Sequence, residues 1–178
     1  MTTIIVPGRI ASYTWILCAL ASAAGCGASG SFRDGVYSDD IVRYRVGAVP
    51  AGWVAAEVED NDVAFHHRQL GTIAVNSTCT EYEDVPEQAL LNHLLFGTRE
   101  RVFRTRETVT VDGRGALHAI VDFELDGVPL TVEVYVVAKD GCVYDLTYTA
   151  SRPAHPRGRP VFDSVVHHFH VLGTQLPG

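Results

Sequence analysis

Hydrophobic and polar residues alternate along most of this chain with a period of two, which is typical of half-buried β-strands. The clearest alternation lies in three runs of the second half, at 117–125, 128–136 and 142–150. Asp-Gly pairs separate these runs, and Asp-Gly suits tight hairpins because both central residues can adopt positive φ. The pattern therefore predicts an antiparallel meander. The pairs are Asp112-Gly113, Asp126-Gly127 and Asp140-Gly141.

Shorter alternating runs in the first half predict further strands at 41–46, 53–58, 63–69 and 72–79. Two segments have a helical period instead. The first places leucines on one side of a helix that ends at Gly97, and the second begins at Pro160 and spaces Phe162, Val165, Val166 and Phe169 as a packing stripe. The sequence thus predicts an α+β fold, with an antiparallel sheet of roughly eight strands and at least two packed helices.

The first residues have the layout of a secretory signal peptide. Arg9 precedes an uncharged apolar stretch at 10–24, which is too short for a spanning helix of about 20 residues. The stretch ends in Ala23-Ala24-Gly25-Cys26, and a cysteine after small residues resembles the bacterial lipobox. We therefore predict a signal peptide over 1–25 and lipidation of Cys26, with ordinary secretion as the alternative. Gly27 after the cysteine favours the outer membrane, facing the periplasm.

The remaining chain is predicted to be a flexible tether at 26–34 and one domain at 35–172. The whole sequence has a formal net charge of −7, and the leader contains one arginine and no acid. An acidic chain would repel nucleic acid phosphates, so nucleic acid is excluded as an expected partner. Attachment to the membrane is expected through the lipid anchor, because charge would not provide it.

Cys79 and Cys142 form an even pair in an oxidising compartment. Each lies on the apolar face of its own predicted strand, because side chains alternate along a strand. We predict a disulfide between them, with two buried free thiols as the alternative.

Several short motifs resemble the PsbP/Mog-like family, which includes DcrB-like exported bacterial lipoproteins. They are Val49-Pro50-x-Gly52-Trp53, the turn at 111–116, the run at 141–146 and the closing helix at 162–169. The resemblance implies the PsbP/Mog-like fold and a role in docking on other proteins without a shared catalytic apparatus. It implies no binding residue, because the matching positions are turns, caps and core.

Catalytic motifs with nucleophile-elbow, zinc-protease or phosphate-loop spacing are missing from the sequence. Histidine is a common metal ligand, and on a continuous last helix Asp163, His167 and His170 would share one flank. Such a set could hold Zn²⁺ or Cu²⁺, although a solvated helix flank is the more common outcome. No cofactor is predicted.

A polar cluster is predicted on the outer face of one meander strand, where His118, Asp122 and Glu124 share a face and Glu133 lies on the neighbouring strand. It is either a docking surface or a plain solvent face. A basic run follows the first helix and would either steer a charged partner or be scattered surface charge. Its members are Arg99, Arg101, Arg104 and Arg106.

Together these observations predict a non-enzymatic cell-envelope lipoprotein that binds a protein partner or assists an assembly. The alternative is an envelope protein that binds a metal or a small molecule, with a metal-dependent hydrolase as its enzymatic form.

Overall fold

The computed structural model describes residues 30–58, 61–79 and 87–175. The predicted lipid site, Cys26, and the leader before it lie outside the described residues. The strands of the described part are β1 (Ser31–Arg33), β2 (Val36–Ser38), β3 (Val42–Arg45), β4 (Val54–Ala55), β5 (Val63–His67), β6 (Gly71–Thr78), β7 (Arg99–Val111), β8 (Arg114–Leu125), β9 (Val128–Lys139), β10 (Cys142–Ser151) and β11 (His170–Thr174). Its helices are α1 (Glu87–Leu94) and α2 (His155–His167).

The strands form two antiparallel sheets. The larger sheet has seven strands in the order β4-β5-β6-β10-β9-β8-β7, and the smaller has four in the order β1-β2-β3-β11. The predicted α+β class with packed helices is confirmed. The described residues hold more strands than the roughly eight predicted, because several strands are too short or too exposed to show an alternating pattern.

β1 occupies part of the segment predicted to be a tether. It pairs with β2 through a turn at Asp34-Gly35, where φ is 51° and 76°. The three other Asp-Gly pairs have the same positive φ at both residues, as the hairpin prediction required. The signal for the β1–β2 hairpin was therefore present in the sequence as a fourth Asp-Gly pair.

The alternating pattern did not predict β7, for a different reason. It is the last strand of the larger sheet, and ten of its thirteen residues are exposed. An edge strand with solvent on both faces has no buried face to impose apolar alternation. The basic run after the first helix is thus part of a long strand.

The last helix begins earlier and ends earlier than predicted. It starts at His155, with a proline in its first turn, and Pro160 lies inside it. It ends at His167, and β11 then begins at His170 and pairs with β3. This pairing makes β11 the last strand of the smaller sheet.

The central strands of the larger sheet are covered on both faces, so the described residues form two hydrophobic cores. One face packs against α2 and the smaller sheet, around Tyr44, Tyr144, Tyr148 and Phe162. The other face of β8 and β9 packs under Leu91 and Leu95, which lie on and just after α1. Burial on both faces is unusual for an antiparallel meander, which commonly leaves one face in water.

The predicted disulfide between Cys79 and Cys142 is present, with Cα atoms 4.2 Å apart. It links the end of β6 to the start of β10, one step beyond the paired residues Thr78 and Val143. Cys142 is buried in the α2-side core, and Cys79 packs against that core, as strand parity predicted.

α2 approaches the sheet closely over Tyr148, at Gly158. A Cβ atom at position 158 would lie 2.1 Å from the Tyr148 hydroxyl oxygen, so only glycine fits there without a shift. The Tyr148 hydroxyl donates a hydrogen bond of 2.6 Å to the Leu70 carbonyl oxygen, which holds the ring in place. Neither described helix is long and apolar enough to cross a membrane.

Candidate functional site

The predicted polar cluster on β8 exists, but most of it is covered. His118, Asp122 and Glu124 share one face of β8, as parity predicted, and that face is the one beneath α2. His118 is only 4% exposed, so the prediction that it lies on an outer docking surface is wrong. The error has a physical cause: the alternation shows which residues share a face, but not that a second layer covers it.

Glu133 forms the centre of a buried charge cluster, which also contains His118, His155 and Arg159. Its side chain is completely buried. His118 Nε2 lies 2.9 Å from Glu133 Oε1, and His155 Nε2 lies 3.3 Å from Oε2 without hydrogen-bond alignment. Arg159 Nε lies 3.2 Å from Oε1 and 3.1 Å from Oε2. We call these four residues the Glu133 cluster.

Aromatic rings and a second carboxylate hold the two imidazoles. His118 stacks on Tyr135, its cross-strand partner, with ring centroids 4.3 Å apart, and its Nδ1 lies 3.0 Å from Glu107 Oε1. Tyr148 stacks on His155 at 5.2 Å. Because His118 and Glu133 lie on strands of the larger sheet while His155 lies on α2, the cluster joins the helix to the sheet.

The electrostatics of the Glu133 cluster favour charged partners. Burial alone would raise the pKa of Glu133, but the contacts from His118 and His155 and the positive charge of Arg159 outweigh it and lower the pKa to about 2. Burial likewise opposes protonation of His118, yet its bonds to Glu133 and Glu107 raise its pKa. Both carboxylate oxygens of Glu133 lie close to the Arg159 guanidinium, so the arrangement is suited to a structural role better than to a reaction.

The hypothesis of a metal site at Asp163, His167 and His170 is wrong, because it required one continuous helix. The helix ends at His167, and His170 lies on β11, where Nδ1 contacts Asp112 Oδ1. Asp163 instead lies 3.8 Å from Arg159 Nε, one helical turn away. Within residues 30–58, 61–79 and 87–175, no group of three or more His, Cys, Asp or Glu side chains could hold a metal ion.

The β7 edge of the larger sheet exposes apolar and basic side chains together. Phe96, between α1 and β7, is 84% exposed, and on β7 itself Val102 is 58% and Phe103 42% exposed. Arginines accompany them on the same strand, and Arg104 lies 3.7 Å from Asp122 on β8. We call this set the β7 edge surface. Its members are Phe96, Arg99, Val102, Phe103, Arg104 and Arg106.

Two of the predicted docking residues border this surface. Asp122 is paired in register with Val102 and accepts a hydrogen bond of 2.6 Å from Thr131. Glu124 is paired with Arg99. The structure therefore brings Asp122 and Glu124 to the β7 edge surface and places His118 in the interior.

Sequence reasoning named Glu133 as a neighbour of His118 but missed His155 and Arg159. A signal for the burial of Glu133 was available in β9, which is apolar on both faces from Val132 to Val137 except at Glu133 and Tyr135. A strand of this kind is typically covered on both sides. The partners on α2 had no such signal, because their approach depends on how the helix packs.

No protein-family model matches the sequence, and no curated protein is significantly similar to it. Solved structures do match. PsbP from the cyanobacterium Synechocystis sp. PCC 6803 has a TM-score of 0.52 and 18% identity, over 85% of this chain and 98% of that one. LpqN, described as involved in cell envelope biogenesis of Mycobacterium tuberculosis, has a TM-score of 0.54 and 13% identity, over 73% of this chain and 84% of that one. A Pseudomonas aeruginosa protein of unknown function has a TM-score of 0.50 and 11% identity, over 84% of this chain and 98% of that one.

These likenesses establish the fold. The two-sheet, two-helix architecture of this chain is PsbP-like, which confirms the predicted resemblance at the level of the fold.

Proposed function

We propose that this chain is a non-enzymatic envelope lipoprotein that docks on a protein partner through the β7 edge surface. The signal peptide pattern and the lipobox-like Cys26 support the location and the anchor. The fold it shares with LpqN supports an accessory role in the cell envelope, since that protein is described as involved in envelope biogenesis.

One observation carries the docking proposal: β7 is a long edge strand whose outer side has no neighbouring strand among the described residues. Unpaired backbone N–H and C=O groups along such an edge can pair with an added strand. Val102 and Phe103 would contribute apolar contact area, and Arg99 and Arg106 would attract negative charge. The partner we propose is therefore an extended protein segment with apolar and acidic side chains.

The partner's charge is argued from contrast within this chain. The whole sequence is acidic, with 21 Asp and Glu against 14 Lys and Arg. Four of its arginines nevertheless lie in one eight-residue stretch of β7, residues 99–106. Such a local reversal of sign steers an oppositely charged partner to one place on the surface. Glu100 and Glu107 reduce this charge without cancelling it.

A non-enzymatic role is supported by the state of the Glu133 cluster. Glu133 is buried and faces Arg159 and His118, and His118 is held between two carboxylates. Glu133 joins α2 to the sheet, and His118 joins β8 to the neighbouring strands β7 and β9.

The docking proposal is tested by photo-crosslinking in the native host. A benzophenone amino acid replaces Val102 on β7 in one strain, and Val54 on β4 in the matched control. Val54 is 60% exposed and lies at the opposite edge of the same sheet. We expect a discrete crosslinked protein from position 102 that position 54 does not give.

One further variant tests how the partner binds. Arg106→Glu should reduce the crosslink at position 102, and the reduction should be larger at low salt, where charges are screened less. Equal crosslinking from positions 54 and 102, or a crosslink that ignores Arg106→Glu at every salt concentration, contradicts the proposal.

The anchor is tested separately by the intact mass of protein extracted from membranes. We expect a chain that begins at Cys26 and carries acyl groups, and Cys26→Ser should release the protein or leave the precursor uncleaved. A mature chain that begins at another residue, with Cys26 unmodified, contradicts the lipoprotein proposal.

A further inference from the structure

A cavity of about 420 Å³ lies beside α1, on the face of the larger sheet opposite to α2. This volume is within the range of small-molecule sites, about 300–1,000 Å³. α1 packs mainly over β8 and β9, and Val143 of β10 joins the same apolar core. The cavity lies next to α1 and is lined from β10 and β6 as well.

The floor of the cavity is polar on one side and apolar on the other. Asp145, Thr147 and Thr149 point into it from β10, because they alternate with the buried Tyr144, Leu146 and Tyr148. On the apolar side, the cavity is lined by residues of β9 and of the α1 end. They include Val132, Val134, Leu94 and Leu95.

Asp145 is the group that indicates a ligand. Its Oδ1 atom is buried and has no hydrogen-bond partner among the described residues. Its register partner on β6 is Asn76, and the described residues that line the cavity include no lysine or arginine. Burial raises the pKa of Asp145 to about 7. A buried carboxylate oxygen without a partner is costly, and a donor group that binds from outside would satisfy it.

We propose that this cavity binds a small organic amine, with the ammonium group on Asp145 and an apolar body against Val134 and Leu95. A cation is favoured over an anion because Asp145 is the acidic group of the lining, and an anion would be repelled by its ionised form. An apolar body is favoured because the opposite wall offers aliphatic side chains. The Thr147 hydroxyl donates at 3.4 Å to the Ala74 carbonyl oxygen, so it is not the main anchor.

Protonation would then be linked to binding. The titratable groups that face the cavity among its described lining residues are Asp145 and His93, the latter on α1. Asp145 must be ionised to pair with an ammonium group, so amine binding should strengthen as the pH rises from the acidic side through neutrality.

The experiment uses three probes with the same apolar body and different head groups: octylamine, octanol and octanoate. Their binding to the purified protein is measured by titration calorimetry and by chemical-shift mapping. We expect octylamine to bind at one site, more tightly than octanol, and octanoate to bind least. The shifts should map to β6, β10 and α1, and octylamine should bind more tightly at about pH 8 than at about pH 6.

Variants separate this site from general surface binding. Asp145→Asn should reduce octylamine affinity at least about tenfold and leave octanol affinity unchanged, because it removes a charge-assisted hydrogen bond. Asp126→Asn, at an exposed turn outside the cavity, is the matched control and should change neither.

Several results would overturn the proposal. They are equal binding of the three probes, no binding of any of them, and octylamine binding that survives Asp145→Asn. Circular dichroism of each variant shows that the fold is intact. Because Asp145 lies outside the β7 edge surface, the crosslinking experiment and this one can fail independently.

Discussion

The Glu133 carboxylate and the His118 imidazole meet inside the protein, with Oε1 and Nε2 2.9 Å apart and neither side chain more than 5% exposed. They come from adjacent strands, β9 and β8, and Arg159 and His155 reach the same carboxylate from α2. One buried negative charge thus holds a helix and two strands. This relationship leads to the first two predictions.

Glu133→Gln should lower the free energy of unfolding by about 3 kcal/mol, because it removes the buried negative charge that Arg159 and His118 face. Urea denaturation followed by circular dichroism measures the loss. Glu107→Gln is the control, since Glu107 contacts the other nitrogen of His118 but is itself 56% exposed. Its cost should stay below about 1 kcal/mol. Equal costs for the two variants would show that burial of Glu133 is not what matters.

The stability of the protein should depend on pH through the same pair. The pKa of Glu133 lies near 2, below its ordinary value of 4.5, so its contribution is present above about pH 4.5 and is lost as the pH falls toward 2. The pKa of His118 is raised above 6.5, so its contribution is present below that value and is lost as the pH rises through the folded pKa.

The free energy of unfolding should therefore be highest between about pH 4.5 and 6.5 as far as this pair is concerned. Urea unfolding across this range and on both sides of it measures the profile. Glu133→Gln should flatten both limbs relative to the parent protein. A variant profile parallel to that of the parent would assign the pH dependence to other groups.

Reduction of the Cys79–Cys142 disulfide should destabilise the protein by a few kcal/mol, up to about 4 kcal/mol from the entropy of the loop that it closes. The two cysteines are 63 residues apart in sequence. The measurement is denaturant unfolding with and without a reducing agent. The double variant Cys79→Ser, Cys142→Ser should be insensitive to the reducing agent, which excludes a general effect of the reagent.

Gly158→Ala should destabilise the protein by about 2 kcal/mol, although alanine is the better helix former, because its Cβ would overlap the Tyr148 hydroxyl. Thermal and urea unfolding measure the change. In a Tyr148→Phe background, the same substitution should cost less, since the nearest atom is gone. An identical cost in both backgrounds would contradict the close packing of α2 on Tyr148.

Much of the fold could be predicted from local pattern. The period of two and the Asp-Gly pairs identified the meander β8–β9–β10 and its turns, because these depend on neighbouring residues. The disulfide followed from parity and compartment. The candidate docking residues were less predictable: the pattern grouped His118 with Asp122 and Glu124 correctly, but one became buried and the other two border an edge strand.

The sequence by itself determined the strands with a buried face, the hairpin turns, the pairing of the cysteines and the acidic balance of the chain, since each depends on residue type or near neighbours. Only the tertiary structure decided that α2 covers Glu133, that β7 is an edge, and that Asp145 lines a cavity beside α1. These facts depend on which elements meet across long sequence separations. A strand has the same alternation whether its second face meets water, a helix or an empty space, so the alternation does not distinguish these cases.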